Sequence, residues 1–308
     1  MNFRLYFLGI TLGLASNTHI LAQTNSISRD TSFSVAATFE KERKNFPNIA
    51  IAKVNSSDLL VQQNIIYKTI GERKLTVDIF RSSNKNKNTA ILLVHGGGWR
   101  AGDKTHMHQL AQALAHKGYT CLAVEYRLSG EAIYPAAVED LQDAIDWINQ
   151  KAEHYGINSQ QIVCVGTSSG GQLTALLGSI NGSKKDKTKL LAVVNIDGLI
   201  SFIHPDAQEG TMAAQWLGGD STRANKQWKE ASAITHLNPK SAPMLFITSS
   251  YKRFSAGKNE LMFQYEKWNI PYQELHFEQS PHTFWYFHPW FIPTVEKIDI
   301  FLNIVLKQ

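Results

Sequence analysis

Gln161–Ile180, QIVCVGTSSGGQLTALLGSI, decides the fold. An apolar strand-like run ends at Gly166-Thr167-Ser168-Ser169-Gly170, and a helix-like segment, Gly171 to Ile180, follows at once. A G-x-S-x-G stretch alone means little, because Gly and Ser are common turn residues. Between a strand and a helix it has a mechanical reading. The central serine sits on a tight, strained turn with its hydroxyl exposed. Glycines two residues to either side let the backbone close, and the helix start favours negative charge developing nearby. Ser168 is therefore the candidate nucleophile.

Working outward, short apolar runs alternate with amphipathic ones. The candidate strands are NIIYKTIG, KLTVDIFR, AILLVHG, TCLAVEY, QIVCVGT, LLAVVNID, PMLFITS and PYQELHF. The first two read as a hairpin turning at Gly71-Glu72. The candidate helices are His106 to His116, Val138 to Ala152, Gly171 to Ile180, Asn259 to Trp268 and Thr294 to Leu306. This alternation predicts an α/β fold, a mostly parallel central sheet with helices on both faces. Ligands in such a sheet sit at the carboxyl ends of the strands. Ile200 to Leu237, after the sixth strand, has no clear strand and reads as a small cap insertion, about residues 200–237.

His95-Gly96-Gly97-Gly98-Trp99 follows AILLV directly. Three successive glycines cost conformational entropy, so the loop needs a reason. Close backbone approach supplies one: the N–H groups of Gly97, Gly98 and Ser169 can converge on an oxyanion. His95 reads as a loop-orienting residue. A general base is expected after the last strand, where His282 lies in Ser280-Pro281-His282-Thr283-Phe284; His288 is the nearest rival.

Four motifs occur in order: His95 to Trp99, Tyr126-Arg127-Leu128-Ser129, Tyr134-Pro135-Ala136-Ala137-Val138-Glu139-Asp140, and Gly166 to Gly171. Together they resemble the α/β-hydrolase esterases, in particular the hormone-sensitive-lipase-like branch and the bacterial feruloyl/acetyl (carbohydrate) esterase group, over residues from about 64 to 306. The resemblance implies a serine hydrolase that uses no metal and no cofactor. It also implies an aspartate near Lys252, and there the chain departs from the pattern. From Ala231 to Asn259 it has neither Asp nor Glu. Three substitutes stay open: Asp197 at the end of LLAVVNID, Glu260 in the first turn of the next helix, or a Ser–His pair oriented by a backbone carbonyl.

The chain has 308 residues, 43% hydrophobic and 19% charged, the balance of a globular domain. Met1-Asn2-Phe3-Arg4 and the apolar Leu5 to Ala15 read as a signal peptide cleaved after Ala22, with the alternative of a membrane anchor. Residues 1–22 are then the signal, 23–60 an irregular lead-in and 61–308 the catalytic domain. The expected location is periplasmic or extracellular, without stable membrane insertion after processing. Cys121 and Cys164 lie in apolar runs and read as small core residues. The net charge of +5 is dispersed except at Lys184-Lys185-Asp186-Lys187, which reads as a solvated loop, so no nucleic-acid partner is expected.

Trp99 and Trp285, beside the two catalytic motifs, suit stacking on a sugar or aryl group. Lys252 and Arg253 would place two cations at the mouth, favouring an acidic polymer. The expected substrate is an ester-bearing polysaccharide, carrying acetyl, feruloyl or methyl groups, or a small aryl or acyl ester. Two other readings remain: a peptidase or amidase of the arylformamidase kind, and a non-catalytic binding protein derived from an esterase.

Overall fold

The structure is a computed structural model describing residue 30 and residues 33–183 and 189–307. The expected signal peptide and the Lys184–Lys187 cluster lie outside the described residues. Eight strands form the main sheet: β1 (Leu59–Ile70), β2 (Arg73–Ser82), β3 (Ala90–Val94), β4 (Thr120–Val124), β5 (Ile162–Thr167), β6 (Ala192–Ile196), β7 (Met244–Ser249) and β8 (Tyr272–Phe277). Their spatial order is β1-β2-β4-β3-β5-β6-β7-β8. The pairs β1–β2 and β2–β4 are antiparallel and every other pair is parallel.

Every residue of β3 to β7 is buried, as expected of parallel strands covered on both faces. Period-2 alternation sends successive side chains to two separate cores. Leu92, Leu122 and Cys164 join one, while Ile91, Cys121 and Val163 join the other. Both cysteines are free and buried. The edge strand β1 is largely exposed along its first half and carries register shifts near Gln62 and Ile66, which blunts a free sheet edge.

The helices are α1 (Val35–Glu42), α2 (His108–His116), α3 (Ala136–Gln150), α4 (Ala152–Tyr155), α5 (Ser169–Ile180), α6 (Thr211–Leu217), α7 (Asn225–Glu230), α8 (Lys258–Trp268) and α9 (Phe291–Val305). Helices α3, α5 and α8 pack on one face through residues such as Leu141, Leu173 and Leu261; α2 and α9 pack on the other through Leu110 and Phe301. The lead-in is tied down. Ser34 caps α1, and Ala50–Ile51 forms a two-residue ribbon with Phe287–His288. That pairing commits His288 to the ribbon.

Asp140 explains the spacing between Tyr126-Arg127 and the Tyr134–Asp140 motif. Its carboxylate is fully buried and takes Nε and Nη2 of Arg127 at 2.8 Å each, the Arg127 backbone N–H at 2.9 Å and Lys68 Nζ at 2.6 Å. A two-pronged guanidinium–carboxylate contact fixes both distance and orientation. It therefore pins α3 to the loop that leaves β4.

Residues 200–237, the segment read as a cap, contain α6, α7 and two short 3-10 turns. An aromatic cluster holds it to the glycine-rich loop: Trp99 stacks on Trp216 (centroids 5.2 Å, interplanar 12°), and Phe202 packs against Trp99, Trp216 and Trp228. Among the described residues, no helix is long and apolar enough to cross a membrane.

Candidate active site

Ser168 occupies the turn between β5 and α5 at φ +52°, ψ −121°, a backbone state unfavourable for a residue with a side chain. The flanking glycines make that turn possible. A Cβ on Gly166 would stand 2.1 Å from the carbonyl oxygen of Gly170, and one on Gly170 would stand 2.2 Å from that of Val94. Neither contact leaves room for a methyl group.

His282, in the loop after β8, places Nε2 2.9 Å from Ser168 Oγ. Its Nδ1 lies 2.8 Å from Asp197 Oδ2. The structure thus brings together Ser168, His282 and Asp197 and separates Glu260 from them. Glu260, with its side chain 55% exposed, pairs with His204 Nε2 at 3.1 Å in a neighbouring groove. Asp197 follows β6 at φ +49° and is fully buried. It accepts the Ser249 backbone N–H at 2.7 Å and the Ser249 hydroxyl at 2.5 Å. These contacts hold the carboxylate in place and favour the histidine tautomer with its proton on Nδ1, leaving Nε2 to accept from Ser168.

Gly97 and Gly98 adopt φ +125° and +61°, conformations suited to glycine, and Ser169 opens α5. Among the described residues none of their three N–H groups has a protein acceptor. The loop is braced from behind. Trp99 Nε1 donates to Gln172 Oε1 at 2.9 Å, Gln172 Nε2 donates to the Ala231 carbonyl at 2.8 Å, and His95 stacks on Tyr126. His95 therefore takes the orienting position expected of it.

These groups open on a pocket of about 910 Å³ lined by Gly97, Gly98, Ser168, Ser169, Glu209, Met212, Arg253, Phe254 and His282, with Asp30 and Phe33 of the lead-in at its wall. The stacking expected of Trp99 and Trp285 and the pair of free cations expected at the mouth need correction. Trp285 is 3% exposed and packs edge-on against His282 without lining the pocket. Trp99 lines the pocket yet is also 3% exposed, because Trp216 and Gln172 hold its ring in the cap interface. Neither presents a free face for a ring to stack on. Arg253 does line the pocket, but Glu209 neutralises it through an Nη2–Oε1 contact of 3.0 Å. Lys252 faces the neighbouring groove. The pair of free cations expected at the mouth is therefore not formed.

Three residues went unnoticed in the sequence. Ser249 holds Asp197. Phe254 stacks on the His282 ring, with centroids 3.4 Å apart and planes at 13°. Glu209 reaches the pocket from the cap with its side chain 7% exposed. Burial pushes its carboxyl above the usual range, against the pull of Arg253 and His282. Only Ser249 carried a sequence signal, a hydroxyl at the end of the strand neighbouring Asp197. The other two depend on chain segments that meet only in the fold.

Known proteins agree with this architecture. An arylesterase of Saccharolobus solfataricus is 26% identical over 166 residues, covering 54% of this chain and 53% of its own. An ethyl acetate hydrolase of Pseudomonas putida is 38% identical over 89 residues, covering 29% of this chain and 28% of its own. The chain spans about half or less of the length of the curated relatives it matches. Among solved structures, a truncated carbohydrate esterase from gut microbiota superposes with a TM-score of 0.69 at 19% identity, over 83% of this chain and 99% of that one. Esterase B from Lactobacillus rhamnosis gives 0.70 at 17% identity, over 89% and 93%. These likenesses establish the α/β-hydrolase fold. The BD-FAE family pattern matches residues 77–253, more than half of the chain, and the protein belongs to that family.

Proposed function

We propose that the protein is a carboxylic-ester hydrolase with Ser168 as nucleophile, His282 as general base and then acid, and Asp197 as the group that orients and stabilises the imidazolium. One observation carries this reading: an unbroken hydrogen-bonded chain runs from Asp197 through both ring nitrogens of His282 to Ser168 Oγ at the base of a pocket. The relatives named arylesterase and ethyl acetate hydrolase support the same chemistry.

In the proposed reaction His282 Nε2 takes the Ser168 proton as Oγ attacks the ester carbonyl. The developing oxyanion rests on the N–H groups of Gly97, Gly98 and Ser169, each such donor lowering the barrier by about 3 kcal/mol. His282 then returns the proton to the leaving alcohol, and water, activated in the same way, hydrolyses the acyl-enzyme. The signal-like N-terminus supports an exported enzyme, and a 910 Å³ pocket accommodates a sugar ring with a short acyl group. The proposed natural substrate is accordingly an acetyl, feruloyl or methyl ester on a polysaccharide.

Hydrolysis of 4-nitrophenyl acetate and labelling by a fluorophosphonate test the reading. Wild type should do both and Ser168→Ala neither. Substantial turnover by Ser168→Ala refutes the nucleophile assignment, and a wild-type protein that neither turns over nor labels favours the binding-protein alternative.

A further inference from the structure

We propose that Glu209 and Arg253 form a subsite for adjacent hydroxyl groups on the alcohol half of the substrate, so that the protein selects esters of neutral sugars over esters of uronates or simple alcohols. This inference rests on the esterase reading of Ser168 and narrows the proposed substrates to acetyl and feruloyl esters of a sugar hydroxyl, since a methyl ester releases methanol, which has no vicinal diol.

The two residues come from segments distant in sequence, the cap and the 3-10 turn Lys252–Ser255 after β7, and meet on the pocket wall that also holds Ser168 and His282. Placing a carboxylate there is costly unless it is paired. The pairing is incomplete. Arg253 Nη2 donates to Glu209 Oε1, while Oε2 receives no donor among the described residues. The same contact is the one hydrogen bond of the Arg253 guanidinium there, which leaves most of its five N–H groups unused. The guanidinium sits 5.0 Å from the centre of the Phe254 ring, and that ring stacks on His282. The pair is thereby held in register with the histidine that must protonate the leaving alcohol.

An acceptor beside unused donors on a net-neutral pair matches a vicinal diol. One hydroxyl donates to Glu209 Oε2 and its neighbour accepts from the Arg253 guanidinium. A uronate carboxylate would meet the like charge of Glu209 beside the same guanidinium. An alkyl or aryl alcohol would bury Oε2 without a partner, a loss that binding sites discriminate against strongly.

The test uses the purified full chain and three esters: 4-nitrophenyl acetate, a methyl xyloside monoacetate with a free vicinal diol, and a monoacetate of methyl galactosiduronate, the methyl glycoside with a free carboxylate. Glu209→Gln should lower kcat/KM for the xyloside relative to 4-nitrophenyl acetate by about tenfold or more. The same substitution should raise the galactosiduronate rate relative to the xyloside. Arg253→Met, on the half-exposed partner, should lower the xyloside ratio as well. Xyloside ratios within twofold of wild type in both variants overturn the subsite. So does a wild-type enzyme that turns over 4-nitrophenyl acetate but prefers the galactosiduronate. If wild type hydrolyses none of the three esters, the esterase reading fails first and the subsite with it.

Discussion

Replacing Asp197 by Asn is the sharpest test of where the third member of the proposed triad lies. The side chain keeps its volume, so packing around this fully buried position is unchanged. Its hydrogen bonding is not. The carboxylate accepts three hydrogens, from the Ser249 N–H at 2.7 Å, the Ser249 hydroxyl at 2.5 Å and His282 Nδ1 at 2.8 Å. An amide offers one oxygen and one NH2 group. If that oxygen keeps the Ser249 N–H, the NH2 group faces His282 Nδ1 and requires it to accept. The ring proton then moves to Nε2, which can no longer take the proton of Ser168. A wrong tautomer of this kind costs on the order of 10⁴ in kcat, or about 5 kcal/mol of transition-state stabilisation. The assay is initial rates of 4-nitrophenyl acetate hydrolysis by Asp197→Asn and Glu260→Gln, with thermal melts to verify that both fold. Glu260→Gln should stay within about twofold of wild type, because an exposed pair with His204 contributes little. Retention of more than about a tenth of wild-type kcat by Asp197→Asn, or a comparable loss in Glu260→Gln, would refute the reasoning.

Further expectations follow from other contacts. Phe254→Leu removes the flat face stacked on His282 and should lower kcat several-fold with a smaller change in KM, whereas Phe254→Tyr, which keeps the ring, should stay near wild type. Steady-state kinetics with an aryl ester separates the two. Asp140→Asn leaves Arg127 and Lys68 without their buried counter-charge and should destabilise the fold by roughly 3 kcal/mol or more, read from urea unfolding. The Asp78 carboxyl is raised by burial but held below its usual 3.8 overall by hydrogen bonds from His108 and Lys104. A lowered folded-state value means that unfolding takes up a proton in acid. The stability from this cluster is then complete above about pH 4 and lost as pH falls through the folded value, so melting temperatures of Asp78→Asn should fall less steeply below about pH 4 than those of wild type.

The central strands were legible because burial on both faces forces continuous apolar runs, and Ile91 to Val94 or Val163 to Val165 admit few other readings. The first half of β1 was not, since an exposed edge strand needs no such pattern; Leu60 to Gln63 lie largely in solvent. Ser168 and His282 were legible for a different reason: each sits in a local motif at a fixed place in the chain order. Trp99 and Trp285 show the limit of that logic. A ring next to a catalytic motif has the same sequence whether it faces substrate or core, and what decides is tertiary. Trp216 and Gln172 claim the first, and the second packs edge-on against His282.

The position of the acid has a geometric explanation that the sequence could pose but not resolve. Strands β6 and β7 are adjacent and parallel, with Ile196 opposite Ile247, and the Asp197 N–H donates to the Ile247 carbonyl at 2.9 Å. Moving a carboxylate from the end of β7 to the end of β6 shifts it by about one strand spacing, ~4.8 Å. The left-handed backbone at Asp197 lets the side chain cover that distance, and aspartate tolerates such a backbone better than most residues. Ser249, at the end of β7, then supplies two hydrogen bonds from the strand that the resemblance expects to carry the acid. With no carboxylate to hold, the loop after β7 is free for other side chains, and it places Phe254 against the histidine and Arg253 against Glu209. The absence of acidic residues between Ala231 and Asn259 thus has a structural counterpart. One strand carries the charge, its neighbour braces it, and the vacated loop shapes the pocket wall, where the proposed reaction would release its alcohol.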